Sequence, residues 1–102
     1  MQHPTNLFDL TGRTAVVTGA SSGLGVAFAQ GLASAGANLV LAARRTSALE
    51  EVQSELRESG HSAVSVQCDV SRQEDVERLI SSALEGFGQI DVLVNNAGVS
   101  SV

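Results

Sequence analysis

The apolar positions of this chain switch between two periods, and the switches lay out seven elements. Thr14-Ala-Val-Val-Thr18 is β-branched and apolar throughout its centre, the pattern of a strand buried on both faces. It breaks into Gly19-Ala-Ser-Ser-Gly23-Leu-Gly25. Leu24, Ala27, Phe28, Gly31, Leu32 and Ala35 then recur at helical spacing, which predicts a helix with that stripe as its buried face. Gly31 on that face is expected to let helix and sheet approach closely, and Gly36 to end the helix. Asn38-Leu-Val-Leu-Ala-Ala43 predicts a second interior strand. Ser47 and Glu50 have the spacing of a capping box for the next helix, whose stripe of Leu49, Val52 and Leu56 closes at Gly60. Ala63-Val-Ser-Val-Gln67 alternates, predicting a strand exposed on one face or at an edge. Ser71 and Glu74 predict a second capping box. Val76, Leu79, Ile80, Ala83, Leu84 and Phe87 form the clearest helical stripe, stopped by Gly86 and Gly88. Asp91-Val-Leu-Val-Asn95 predicts a fourth strand, and residues 1–13 a polar lead-in tacked down by Leu7, Phe8 and Leu10.

Strand and helix thus alternate with short connections, which implies parallel strands joined by right-handed crossovers. The expected architecture is a doubly wound α/β sheet of order 3-2-1-4, with a ligand crevice where the order reverses, between strands 1 and 4. Val92-Leu93-Val94 reads as an interior strand although it lies close to the end of the sequence. Residues 1–102 are therefore expected to form a single domain that is incomplete after strand 4. Its sheet would be continued by further chain or by another molecule, with a tendency to associate through strand 4.

Composition narrows the class. A chain of 102 residues supports one modest core, and a charged fraction of 17% is ordinary for a globular domain. A net charge of −5 argues against nucleic acid or an anionic membrane as the main partner. Cys68 is the sole cysteine, which excludes an internal disulfide, and it reads as a small buried apolar residue. No basic segment followed by an apolar one opens the chain and no apolar run has the length of a membrane span, so a cytoplasmic location is expected. His3 and His61 have no second ligand at a metal spacing, and no metal is expected.

The glycine-rich turn carries the chemistry. Gly19, Gly23 and Gly25, with Ser21 and Ser22 between them, lie between a strand and a helix. Glycines admit a close approach of backbone N–H groups, and a helix N-terminus favours negative charge, so this is a phosphate-binding turn by pattern. The end of strand 2 bears on which dinucleotide is held. An NAD site places an acid there for the ribose hydroxyls, but the chain reads Ala42-Ala43-Arg44-Arg45. A guanidinium matches a 2′-phosphate, so NADP is favoured over NAD, with Arg44 the main candidate and Arg45 beside it. The competing reading is a pair of solvated loop arginines.

Thr18-Gly19-Ala-Ser-Ser-Gly23-Leu-Gly25 resembles the TGxxxGxG signature of the short-chain dehydrogenase/reductase family, and Asn95-Asn96-Ala97-Gly98 is similar to its NNAG motif. Cys68-Asp69-Val70 resembles the segment that follows its third strand. The resemblance implies the N-terminal portion of a Rossmann-type fold. It places Gly19, Ser21, Ser22, Gly23, Leu24 and Gly25 along the ribose and pyrophosphate of the cofactor. Asp69 and Val70 would meet the adenine, Asp69 by accepting from its exocyclic amine. Asn96, Ala97 and Gly98 would follow the ribose toward the nicotinamide, while Asn95 ties strand 4 to its neighbours. It further implies a parent oxidoreductase, homo-oligomeric, that transfers hydride between NADP and a small alcohol or carbonyl substrate. The family's YxxxK motif lies beyond NNAG, and this sequence has no tyrosine and no lysine. No catalytic residue is assigned, and the chain alone is expected to be inactive. Two rivals are a stand-alone nucleotide-binding or regulatory module and an S-adenosylmethionine methyltransferase. The latter is disfavoured by the missing acid after strand 2.

Overall fold

Thr14–Thr18 forms the central strand β1, and all five residues are buried, as β-branched and small side chains covered on both faces should be. The structure is a computed structural model that describes residues 9–96. Leu7, Phe8, Ala97 and Gly98 lie outside the described residues. Asn38–Ala43 (β2), Ala63–Gln67 (β3) and Val92–Asn95 (β4) join β1 in a parallel sheet of order β3-β2-β1-β4. In register, Val16 stands between Val40 and Leu93. The helices are α1 (Gly23–Ser34), α2 (Thr46–Glu58) and α3 (Gln73–Phe87).

Side chains that alternate along the strands build a core on each face. On one face Ala15, Val17, Leu39 and Leu41 pack with Ala29 and Ala33 of α1 and Leu49, Val52 and Leu56 of α2. On the other, Val16, Val40 and Ala42 pack with Leu79 and Ala83 of α3. The sheet is therefore wound on both sides, as the element order predicts. β3 lies at one edge of the described sheet, as expected, although its burial falls from Ala63 to Gln67 without alternating between faces. β4 is outermost among the described strands on the opposite side. Val92 and Val94 are half-buried, whereas Leu93 is 59% exposed, so the expected interior strand is covered only in part.

Three local expectations are overturned. The buried stripe of α1 is Gly25, Ala29 and Ala33, while Leu24 and Phe28 are exposed. The helix packs so close that a Cβ at Gly25 would fall 2.0 Å from the Gly19 carbonyl oxygen, so small residues must face inward. Gly31 faces open space, with nothing within 4 Å of an added Cβ. Neither capping box forms: α2 and α3 start after Arg45 and Arg72, which make no side-chain capping bond. Ser71 instead donates to Asp69 Oδ1 through its hydroxyl (2.6 Å) and its N–H (3.0 Å), and Glu74 pairs with Arg72. The aspartate two residues earlier outcompetes the helix terminus for that serine. Finally, α3 continues through Gly86 and ends at Gly88, whose φ of 81° is the left-handed C-cap geometry.

At the amino-terminal ends of the strands, Asp91 joins β4 to β1. Its Oδ2 accepts from Thr14 N–H (2.8 Å) and Gln89 Nε2 (2.6 Å), and its Oδ1 faces Arg13 Nη1 at 3.4 Å. Among the described residues no helix is long and apolar enough to cross a membrane.

Candidate functional site

The chain leaves β1 through Gly19, whose φ of 64° needs no Cβ, and enters α1 through Ser22 as N-cap. The Ser22 hydroxyl donates to the Gly19 carbonyl (2.9 Å) and accepts from Gly25 N–H (3.2 Å) and Asn96 Nδ2 (2.9 Å). Its one proton and both lone pairs are thus used within the loop. Asn96, buried at 7% exposure, also donates to the Gly19 carbonyl at 3.1 Å. Thr18 Oγ1 donates to Asn95 Oδ1 at 3.0 Å, the link between strand 4 and its neighbour that the sequence led us to expect.

Three strand ends converge on an open cleft of about 580 Å3. β1 contributes Gly19, Ser21 and Ser22; β2 contributes Ala43, Arg44 and Arg45; β3 contributes Cys68, Asp69, Val70 and Ser71. Seven of the residues singled out from sequence are thereby brought together: Gly19, Ser21, Ser22, Arg44, Arg45, Asp69 and Val70. Gly23, Leu24 and Gly25 sit in the first turn of α1, outside that lining, with Gly25 against the loop and Leu24 53% exposed. Asn96 reaches the loop from β4, and Ala97 and Gly98 are not described. Among the described residues the cleft lies over the ends of β1, β2 and β3; the segment beyond Asn96, which would wall the expected crevice between strands 1 and 4, lies outside the described residues. The Asn96 side chain, bonded to Gly19 and Ser22, bridges the end of β4 to the loop after β1.

The charges of the cleft are separated. The Ser71 hydroxyl and N–H on Asp69 hold its carboxyl below the usual carboxylate value, and the Arg44 and Arg72 charges add to this. Asp69 is therefore an acceptor at neutral pH. Arg44 and Arg45 are exposed, and neither side chain makes a hydrogen bond among the described residues. The Ser21 hydroxyl is equally unspent. Cys68 is 2% exposed; burial, reinforced by the charges of Asp75 and Asp69, pushes its thiol up, so it is protonated and unreactive. Two neighbours of the cleft carry no motif in the sequence. Gln67 Nε2 donates to the Arg44 carbonyl (3.2 Å), and Asp75 Oδ2 accepts from Asp69 N–H (2.9 Å). The only sequence signal for Gln67 was a polar residue at the carboxyl end of a strand.

A parallel sheet of this order, with helices on both faces and a glycine turn at the head of α1, defines a Rossmann-like α/β fold. The profile of the family described as short chain dehydrogenase matches residues 13–102, and the chain belongs to that family of NAD(P)-dependent oxidoreductases. It is similar to the uncharacterized oxidoreductase YxnA of Bacillus subtilis (strain 168), with 49% identity over 86 residues. That match covers 84% of this chain and 24% of YxnA. Among solved structures it is similar to a short chain dehydrogenase/reductase from Burkholderia phymatum in complex with NAD. There the identity is 42% and the TM-score 0.81, over 83% of this chain and 30% of that one. It is also similar to a metagenomic short-chain oxidoreductase in complex with NADP, with 41% identity and a TM-score of 0.79, over 83% and 38% of the two chains. The chain thus spans about a quarter of that curated relative and about a third of these structures.

Proposed function

We propose that this chain is the cofactor-binding part of an oxidoreductase that interconverts an alcohol and a carbonyl, and that it prefers NADP to NAD. The observation that carries the preference is Arg44. It stands at the end of β2 where an NAD site wants a carboxylate, on the wall of the cleft, with no hydrogen-bond partner for its guanidinium among the described residues. A 2′-phosphate carries nearly two negative charges and accepts hydrogen bonds in the geometry a guanidinium offers. The donor set fits such a group: Arg44, with Arg45 and the free Ser21 hydroxyl nearby, and no acid in the first turn of α1.

In this reading Gly19, Gly23, Leu24 and Gly25 present the loop backbone and the α1 N-terminus to the pyrophosphate. Ser21 contributes a side-chain donor, and Ser22 shapes the loop with its hydroxyl. Asp69 accepts from the adenine amine while Val70, 38% exposed, offers the ring an apolar contact. Asn96 holds the loop, and Ala97 and Gly98 would continue the site toward the nicotinamide. When bound, the cofactor supplies or accepts the hydride. The residues of this chain bind and orient it.

Residues 1–102 would then be a partial domain, inactive alone, since the sequence has neither tyrosine nor lysine for the proton transfer the family resemblance implies. A cytoplasmic, homo-oligomeric parent acting on a small molecule fits the same reading. The 59% exposure of Leu93 on β4 supports association of the isolated chain along that strand. Calorimetric titration with NADPH and NADH tests the assignment. Arg44→Asp should weaken NADPH by roughly ten- to a hundredfold, the worth of a charged hydrogen bond, and leave NADH unchanged or improved. Equal losses for both nucleotides would overturn the NADP preference.

A further inference from the structure

The turn that carries Arg44 is not held from the helix that follows it. Arg45, the N-cap of α2, has an extended backbone (φ −100°, ψ 124°) and makes no side-chain capping bond. The turn is held from β3 instead. The Cys68 N–H donates to the Ala43 carbonyl at 2.9 Å, and one residue further on Gln67 Nε2 donates to the Arg44 carbonyl at 3.2 Å. Register places Gln67 directly opposite Ala43, so its side chain reaches the residue just past the end of the neighbouring strand.

Gln67 is itself braced. Its own carbonyl accepts from Arg78 Nη2 at 2.6 Å, and Arg78 Nη1 pairs with Asp75 Oδ1 at 3.4 Å. Asp75 Oδ2 in turn accepts from the Asp69 N–H at 2.9 Å. One turn of α3 therefore grips the carboxyl end of β3 on both sides, and Gln67 passes that rigidity across to the end of β2. The Arg44 charge is felt by the Asp69 carboxyl across the cleft. A guanidinium ends a long stem with high rotamer entropy, so a fixed backbone origin decides how much of that entropy is lost when it meets an anion.

We propose that Gln67, braced by Arg78 and Asp75 of α3, is a positioning residue that fixes the Arg44 turn and thereby sets discrimination for the 2′-phosphate. This rests on the reading of Arg44 as the 2′-phosphate ligand, and the test separates the two. The probes are adenosine 2′,5′-bisphosphate and 5′-AMP, titrated against the full chain, Gln67→Met and Arg44→Ala. Methionine keeps the length of glutamine and removes its donor. Gln67 is exposed, so folding is retained and is verified by circular dichroism melting.

Gln67→Met should bind the bisphosphate about fivefold more weakly, the worth of one hydrogen bond, with 5′-AMP affinity within about twofold of the parent chain. Arg44→Ala should show the same selectivity with a larger loss. A Gln67→Met chain that binds both probes like the parent, or loses both equally, overturns the positioning role while a selective loss in Arg44→Ala leaves the ligand assignment standing. An Arg44→Ala chain without selective loss overturns both.

Discussion

The side-chain amide of Asn96 donates to the Gly19 carbonyl at 3.1 Å and to the Ser22 hydroxyl at 2.9 Å, joining the end of β4 to the loop after β1 across 77 and 74 residues. The Gly19 oxygen also accepts from the Ser22 N–H and hydroxyl, and it faces α1 at the point where Gly25 passes. A carbonyl occupied in this way is fixed, and with it the conformation of the whole turn. Asn96→Ala removes two hydrogen bonds that fix the loop and should destabilise the chain by about 1–3 kcal/mol, the worth of two such bonds, seen as a lower melting temperature. Because the loop serves both nucleotides, NADPH and NADH affinities should fall together. A loss confined to one nucleotide would contradict a role in shaping the loop.

Two glycines of α1 should respond in opposite directions to the same change. A methyl at Gly25 would meet the Gly19 carbonyl oxygen at 2.0 Å and Asn96 Nδ2 at 2.9 Å, neither of which can retreat without opening the loop. Gly25→Ala is expected to destabilise by about 1–3 kcal/mol or more, as overpacking against backbone does. Gly31 lies within the helix facing open space. Gly31→Ala should therefore stabilise by about 0.5–1 kcal/mol through the lower conformational entropy of the unfolded chain. Urea unfolding midpoints of the two variants distinguish these outcomes, and a shift in the same direction would refute the packing of α1.

Thr14 is fully buried in β1, and its Oγ1 has no hydrogen-bond partner among the described residues. An unpaired buried hydroxyl is unfavourable by about 1–3 kcal/mol relative to an apolar group of the same shape. Thr14→Val keeps the shape and the β-branching. It should raise the urea midpoint, by an amount near the lower end of that range, without altering nucleotide affinity. A lowered midpoint would mean that the hydroxyl has a partner.

Much of this arrangement was legible in the sequence because interior parallel strands must be apolar on both faces, and β1 and β2 are. The helix α1 buries a different stripe from the one its hydropathy points to, for a definite reason. Its sequence offers two stripes offset by one residue, Leu24 and Phe28 against Gly25 and Ala29, and hydropathy favours the larger side chains. Distance decided otherwise, since the glycine loop brings helix and strand too close for anything but glycine and alanine. The capping box of α3 failed where a nearer acceptor, Asp69, competed for Ser71. Among the site residues, the cleft gathers those that stand just past the ends of β1, β2 and β3, where the sequence pattern changes from strand to loop. The Gln67–Arg44 contact had no such signature, because it exists only through the pairing of β2 with β3.

Acid should loosen the amino-terminal end of the sheet through Asp91. Its carboxyl lies below its ordinary value of 3.8, first because it accepts from the Thr14 N–H, then from Gln89, with Arg13 adding to both. The native state therefore favours the ionised form more than the unfolded chain does. The resulting stabilisation is present in full well above 3.8, shrinks once pH falls below the unfolded value, and is gone below the folded one. Asp91→Asn retains an oxygen for the Thr14 N–H but carries no charge, so it should melt below the parent chain at neutral pH and approach it as pH drops toward about 3. Asp9 and Asp69 are shifted in the same direction, so an acid limb remains in the variant, with a shallower slope. Melting temperatures measured from about pH 7 down to about pH 3 provide the check. A gap between the two chains that stays constant across that range would show that it does not come from the Asp91 charge.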